Sequence, residues 1–390
     1  TGEKDADGDI RNGPNLFSEA VKIRTIADVP IGVFLSGGID SSAVVAFMSQ
    51  HCPNRVKTFS VGFGDEIDER PYARIVAERF QTQHTELFIE SRFDDVVFEV
   101  LEYYDEPFGD SSAIPTFMIS REARKHVKSI LTGDGGDELF TGYSSYIDQK
   151  YQHSGRISSR IYKEINRFAM NTIGNGFLDM FYPRRSWPKA FHHWVNVRSF
   201  FSENEIRDLI AIPKGFILDF FKNNKWLQLS STDALSISFS HDLNYYLPDD
   251  LLKKVDMASM LTSLECRAPF LDHRIIEFSL KIPPTLKVKT DEPKYIMKSS
   301  LKNILPLEVL KRPKTGFGAP VESWMRRQLK VPVMDMLKPG CRIESVIPRH
   351  GIDKILQDMY SIEKCHENDF RTPHKLWLLF VLEIWMRKYC

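Results

Sequence analysis

Apolar positions in the first 150 residues fall into two patterns that take turns. Short, nearly unbroken apolar runs, "IGVFL" (31–35), "VKTFSVGF" (56–63) and "KSILTG" (128–133), read as buried strands, and "HTELFIE" (84–90) alternates as another. Between them, apolar residues recur at helical spacing in "SSAVVAFMSQ" (41–50), "ERPYARIVAERF" (69–80), "FDDVVFEVLEYY" (93–104) and "AIPTFMISREARKHV" (113–127), and "DELFTGYSSYI" (137–147) starts a further helix. Strand followed by helix, repeated, predicts the α/β class: a doubly wound parallel sheet with helices on both faces. Ligands of such sheets sit beyond the carboxyl ends of the strands, where strand order reverses. Glycine-rich corners at 36–38 and 133–136 both fall at such ends.

From about residue 150 onward the strand signals fade. "RISSRIYKEINRFAMN" (156–171), "ENEIRDLIAI" (203–212), "ALSISFSHDLNYYL" (234–247), "DLLKKVDMASML" (250–261) and the C-terminal run all suit helices. The chain is therefore divided into an α/β part, 1–150, and an extensive helical part, 151–390, packed on it. Residues 150–240, rich in aromatics and Arg, give no readable pocket. The lead-in "TGEKDADGDIRNGPN" is polar and has no core-forming pattern.

Composition narrows the partners. Lys plus Arg and Asp plus Glu both number 52, so the formal net charge is zero and a nucleic acid held by bulk charge is not expected. The five cysteines, Cys52, Cys266, Cys341, Cys365 and Cys390, are dispersed, with neither a disulfide framework nor zinc spacing, which fits a reducing, cytoplasmic setting. The densest apolar run, "LWLLFVLEIW" (376–385), is too short to span a membrane, and no secretory signal is present.

The chemistry lies in the two corners. In "LSGGIDSS", Ser36, Gly37 and Gly38 let backbone N–H groups turn inward, and Ser41 and Ser42 open a helix whose first N–H groups carry partial positive charge. A pyrophosphate is the natural tenant. Asp40 beside phosphate makes sense when Mg²⁺ bridges them. No GxxxxGK[ST] or GxGxxG is present, and taken alone the turn is equally a tight strand-to-helix corner with an Asp/Ser cap. The second corner, "LTGDGGDELFTGY" (131–143), adds Asp134, Asp137 and Glu138, more acids than capping needs. Asp40 and Asp137 facing each other would make a two-carboxylate Mg²⁺ seat.

Strand–"SGGIDSS" with "LTGDGGDELFTGY" resembles the C-terminal synthetase (ATP-pyrophosphatase) domain of the glutamine-dependent asparagine synthetase family. The likeness continues through "DEPFGDSSAIPTF" (105–117), "LPDDLLKKVDMASMLTSLECRAPFLDHRIIEF" (247–278), "KYIMKSSLKNILP" (294–306) and "RPKTGFGAP" (312–320). The resemblance implies an adenine nucleotide alpha-hydrolase-like sheet, with 1–150 as its nucleotide-binding part and 151–390 completing the site. It implies that Ser36, Gly37, Gly38, Ser41 and Ser42 cradle the pyrophosphate of ATP, and that Asp40 and Asp137 hold Mg²⁺. Leu35, Val61, Thr132 and Gly133 would contact adenosine. Lys294, opening "KYIMK", would steady charge on the adenylate and the departing pyrophosphate. Asp134 stands where some members carry Glu, for proton removal from the attacking amine or for substrate binding. Glu265 and Arg267 match the pattern as a structural clamp, and His84 and His273 are assigned no chemistry.

The implied enzyme is an AMP-forming carbon–nitrogen ligase: aspartate, or another small carboxylate, is adenylated and then amidated by ammonia. Members commonly carry an N-terminal glutaminase domain beginning with a catalytic cysteine. Here residue 1 is Thr and fewer than about forty residues precede the first corner, too few for such a domain. The polar start without an initiator Met favours its removal; a separate subunit or free ammonia are the other sources of nitrogen. A homodimer is compatible with this reading. Three alternatives stay open: a related ligase that closes β-lactams, cyclises peptides or amidates sugars, a non-catalytic nucleotide-binding domain, and a nucleic-acid thiolation enzyme, which neutral charge and unpaired cysteines disfavour.

Overall fold

Parallel pairing of the four expected strands builds one sheet in the computed structural model, and a fifth strand joins it. The structure describes residues 2–62, 68–88, 93–146, 194–195, 197–210, 212–213, 234–289, 292–314, 316, 318–361 and 370–390. The expected helix over 156–171 and the last two residues of the expected 84–90 strand lie outside these. Strands β1 (Ile31–Phe34), β2 (Lys57–Gly62), β3 (Gln83–Phe88), β4 (Ser129–Leu131) and β5 (Glu265–Arg267) run in the order β3-β2-β1-β4-β5, all parallel. Order therefore reverses between β1 and β4, the switch point at which α/β sheets open a crevice. The doubly wound α/β class read from the alternation is the one the chain adopts.

β5 carries no apolar signature. Glu265, Cys266 and Arg267 are recruited by partners distant in sequence: Glu265 N donates to Lys128 O at 3.1 Å, and Thr132 N to Arg267 O at 2.9 Å. Arg267 binds Glu265 at 2.9 Å and donates to the carbonyls of Arg24 and Ile26, tying the strand to the end of the first helix.

Alternation within the strands sends side chains to two faces. Val33, Leu35 and Leu131 join the larger cluster, with Phe17, Ala20 and Val21 of α1 (Gly2–Arg24) and with α2 (Ile39–His51). α2 is buried from Ser41 through Met48, as a helix without a polar face must be. α3 (Arg70–Arg79) buries the stripe Ala73, Val76 and Ala77 against the same cluster. Phe59 and Ile130 face the other way, toward Ala123 of α5 (Ala113–Ala123), Val127 and Leu264. No helix among the described residues is long and apolar enough to cross a membrane.

The chain forms two compact units that interleave in sequence: Thr1–Ser91, Ser112–Ile147 and Asp242–Phe317 make the sheet unit, and Arg92–Ser111, Asp148–His241 and Gly318–Cys390 the helical one. Asp242–Phe317 groups with the sheet because it supplies β5 and the core residues Phe270, Ile275 and Ile296. In the helical unit, α4 (Phe93–Tyr103) packs with the closing helix Arg371–Tyr389, which buries Trp377, Phe380 and Ile384. Its Glu383 is wholly buried, accepting from Ile343 N at 2.8 Å and Arg387 Nε at 2.6 Å.

Asp272 joins two helices of the sheet unit. It caps helix His273–Lys281 by accepting from Arg274 N at 3.1 Å, and it pairs with Arg274 Nε and with Arg24 Nη1, both at 2.9 Å. The Arg274 hydrogen bonds, with those from Arg24, outweigh burial and hold its carboxyl well below the usual carboxylate range. Because the folded-state value is depressed, this stabilisation is present above the unfolded value of about 3.9 and is lost as pH falls through the folded one. Asn caps about as well as Asp but carries no charge. Asp272→Asn should cost about 1–3 kcal/mol at neutral pH and flatten the acid limb of the stability curve below about pH 4, measured by urea unfolding across pH.

Candidate active site

Beyond β1 the chain keeps pairing for one more residue, Leu35 N donating to Phe59 O at 2.8 Å, and then turns through Ser36, Gly37 and Gly38 into α2. Gly37 adopts φ +71°. The turn's polar groups bond loosely to one another: Ser36 Oγ to Ser41 Oγ at 3.1 Å, and Gly38 N to Ser36 Oγ at 3.3 Å. Ser42 is brought to the same helix start, but its side chain is fully buried and its hydroxyl has no hydrogen-bond partner among the described residues. Val61, on the neighbouring β2, is buried.

Beyond β4 lies the second corner. Thr132 is buried, Gly133 follows, and Gly135 at φ +90° leads into the single turn of α6 (Gly136–Phe140). The helix expected over 137–147 is interrupted here, because Thr141 takes left-handed backbone and Gly142 N closes the turn on Asp137 O at 2.9 Å. The two corners touch. A Cβ on Gly136 would come within 2.6 Å of Asp40 Cγ, so only glycine lets the acidic corner approach the first one this closely.

Lys294 joins them. It sits at φ +56° before the helix Tyr295–Leu301, an uncommon conformation for a residue with a side chain. Its Nζ lies 2.6 and 2.5 Å from the Asp40 oxygens and 2.6 Å from Asp137 Oδ1. Asp137 Oδ2 takes a second cation, Lys314, which is part-exposed and lies 5.8 Å from the centre of the Tyr143 ring. Burial disfavours the Lys294 charge, and Asp137 and Asp40 more than reverse this, holding its pKa well above that of an ordinary lysine. Burial likewise opposes the Asp137 charge, but Lys294 and Lys314 together bring its pKa down to about 2. Burial dominates at Asp40 and pushes it up against the pull of Lys294.

Asp134 shifts the same way as Asp40. Burial raises its pKa, against the pull of the Thr132 hydroxyl and the Lys254 charge. Lys254, itself buried, comes from helix Lys253–Met260 beside β5. Glu138 is buried behind the corner, bonded by the Tyr143 hydroxyl, and burial with the adjacent Asp137 charge pushes it up to about 7. His84 is held by Thr58 at 2.9 Å and Ser60 at 3.2 Å between β2 and β3, and His273 is exposed.

Two carboxylates converging on one point are the hard oxygen donors Mg²⁺ takes, and Mg²⁺ takes the rest of its ligands from phosphate and water. Among the described residues no three His, Cys, Asp or Glu side chains gather to hold a metal by themselves. The pair fits an ion that takes its other ligands from phosphate or water.

Sequence reasoning named Asp40, Asp137 and Lys294, and the structure brings all three together. It missed Lys254, Lys314 and Arg312. The last two lie in "RPKTGFGAP", a segment quoted for its family likeness but given no role.

A parallel sheet with a glycine turn and an acidic turn meeting at its switch point defines a doubly wound α/β protein. Residues 14–387 match the family model "Asparagine synthase", and the chain belongs to that family. It is 33% identical over 383 residues to a putative glutamine-hydrolysing asparagine synthetase of Mycobacterium tuberculosis, covering 95% of this chain and 56% of the relative. With the glutamine-hydrolysing asparagine synthetase 1 of Bacillus subtilis it shares 28% over 381 residues, 96% of this chain and 59% of the relative. An amidase of Gibberella zeae is 23% identical over 363 residues, covering 78% and 51%. The chain thus spans little more than half the length of these curated relatives.

Proposed function

We propose that the chain is the synthetase part of an asparagine synthetase: it adenylates the side-chain carboxylate of aspartate with ATP and amidates it with ammonia. The observation that carries this reading is the meeting of Asp40 and Asp137 at Lys294 Nζ, beside the Ser36–Gly38 turn.

The turn's N–H groups receive the pyrophosphate portion of ATP, and Leu35, Val61, Thr132 and Gly133 border the adenosine. Asp40 and Asp137 would hold Mg²⁺, which supplies charge neutralisation along the phosphate tail. A carboxylate oxygen of the acceptor forms a bond to the α-phosphorus as the bond to the bridging oxygen breaks, and pyrophosphate leaves with that electron pair. Lys294, kept protonated by its surroundings, stabilises the charge that develops there. Ammonia then attacks the acyl carbon, AMP leaves, and a proton is lost from nitrogen. Asp134, whose raised pKa suits proton exchange, is the candidate acceptor of that proton. Ammonia comes from a glutaminase domain or subunit. The amidase relative supports a second reading, in which the same chemistry serves another carboxylate.

Exchange of labelled pyrophosphate into ATP, run with a panel of carboxylic acids, tests both. Aspartate-dependent exchange, with AMP and asparagine formed on adding ammonium, is the expected result. Exchange with a different acid alone replaces aspartate as acceptor, and exchange with none overturns the adenylation reading.

A further inference from the structure

Arg312 stands 276 positions after Ser36, yet its Nη1 donates to the Ser36 carbonyl at 2.9 Å. Its Nη2 donates to Glu69 Oε1 at 2.6 Å, and the guanidinium lies 4.4 Å from the centre of the Tyr72 ring. Both charged side chains are largely buried, Arg312 at 8% exposure and Glu69 at 15%. A planar fork held at two donors and across its face has little freedom left. The anchor is firm because Glu69 and Tyr72 flank the start of α3, the same helix whose backbone crowds Gly37: a Cβ there would lie 2.5 Å from Ala73 N.

The hydrogen bond to Ser36 has a directional consequence. The Ser36–Gly37 peptide is trans, so its C=O and N–H point in opposite directions. Holding the carbonyl toward Arg312 fixes the Gly37 N–H on the far side, in a turn whose Gly37 is left-handed. We propose that Arg312 is a positioning residue: it touches no substrate, and through Ser36 and Glu69 it aims the Gly37 N–H at the pyrophosphate portion of the nucleotide. This rests on the reading that the turn binds that portion.

The test uses the full chain carrying Arg312→Lys, Arg312→Ala, and Arg312→Ala combined with Glu69→Gln, the last so that no buried carboxylate is left unpaired. Calorimetric titration with ATP, inorganic pyrophosphate and adenosine is read beside the melting temperature. The expected result is a folded double variant that binds ATP and pyrophosphate about tenfold or more weakly, with adenosine affinity within about twofold and part of the loss recovered in Arg312→Lys. Unchanged ATP and pyrophosphate affinities in the folded double variant overturn the proposal, and so does a parallel loss of adenosine. Pyrophosphate exchange by the wild type separates this from the broader reading. A wild type that binds ATP but exchanges with no acid sinks the adenylation, while weakened variants still support the positioning role. A wild type that binds neither ATP nor pyrophosphate sinks both.

Discussion

Replacing Lys294 with alanine is expected to lower the rate of AMP formation by about 10²–10³-fold and, separately, to destabilise the chain by about 3–5 kcal/mol when no divalent cation is present. Both effects come from one ammonium. In catalysis it is the buried positive charge nearest the two carboxylates, and a pre-set charge in a poorly solvated site needs no reorganisation when the leaving group develops its own. In folding it compensates Asp40 and Asp137, which its loss would leave facing each other with Lys314 alone to offset them. Urea unfolding of the variant in chelator and in millimolar Mg²⁺ distinguishes the two roles. The stability deficit should shrink markedly with Mg²⁺, because the carboxylates regain a cation. An equal deficit in both buffers would mean that Asp40 and Asp137 do not take up the ion, whatever the activity shows.

The second large effect belongs to Gly37→Ala. Its φ of +71° costs an L-residue about 1–2 kcal/mol. The added methyl would also lie 2.5 Å from Ala73 N and nearer still to the Tyr72 carbonyl carbon. Those are backbone atoms at the start of α3, so relief requires the helix to shift, for about 1–3 kcal/mol more. A loss of about 2–5 kcal/mol, with ATP affinity reduced at least about tenfold, is the expected outcome by unfolding and titration. Gly38→Ala is the internal control. Gly38 has φ −77° and its Cβ would meet nothing nearer than Ser36 Oγ at 3.3 Å, so it should fold almost as well as the parent.

The parts of this site that were legible in the sequence are those built from neighbours. Residues 31–42 contain a strand, a turn and a helix start in one stretch, marked locally by an apolar run and by the glycines that end it. The same holds for 128–138. β5 was hidden because three residues with no apolar alternation become a strand only when β4 offers its free edge. Likewise, nothing local marks Arg312 or Lys314: an arginine and a lysine two residues apart read as solvated charges until the fold sets a carbonyl from residue 36 and a carboxylate from residue 137 against them. Lys294 was found through its family motif, and its left-handed backbone carries no sequence signal because glycine is absent there. Where the acidic corner's helix stops at Thr141 was equally unreadable, since the pattern of apolar positions continues through it.

The interleaving of the two units also bears on how the chain is made. Asp40 emerges from the ribosome 254 positions before the lysine that neutralises it. At 5–20 residues per second, that interval lasts about 13–50 s. Once residue 137 has been made, the nascent sheet unit holds an acidic pair with no lysine from residue 294, and until residue 267 is made it also lacks its edge strand from residues 265–267. Completion of the sheet unit therefore waits for Asp242–Phe317, and a fragment ending before residue 294 should fail to mature however favourable its local sequence.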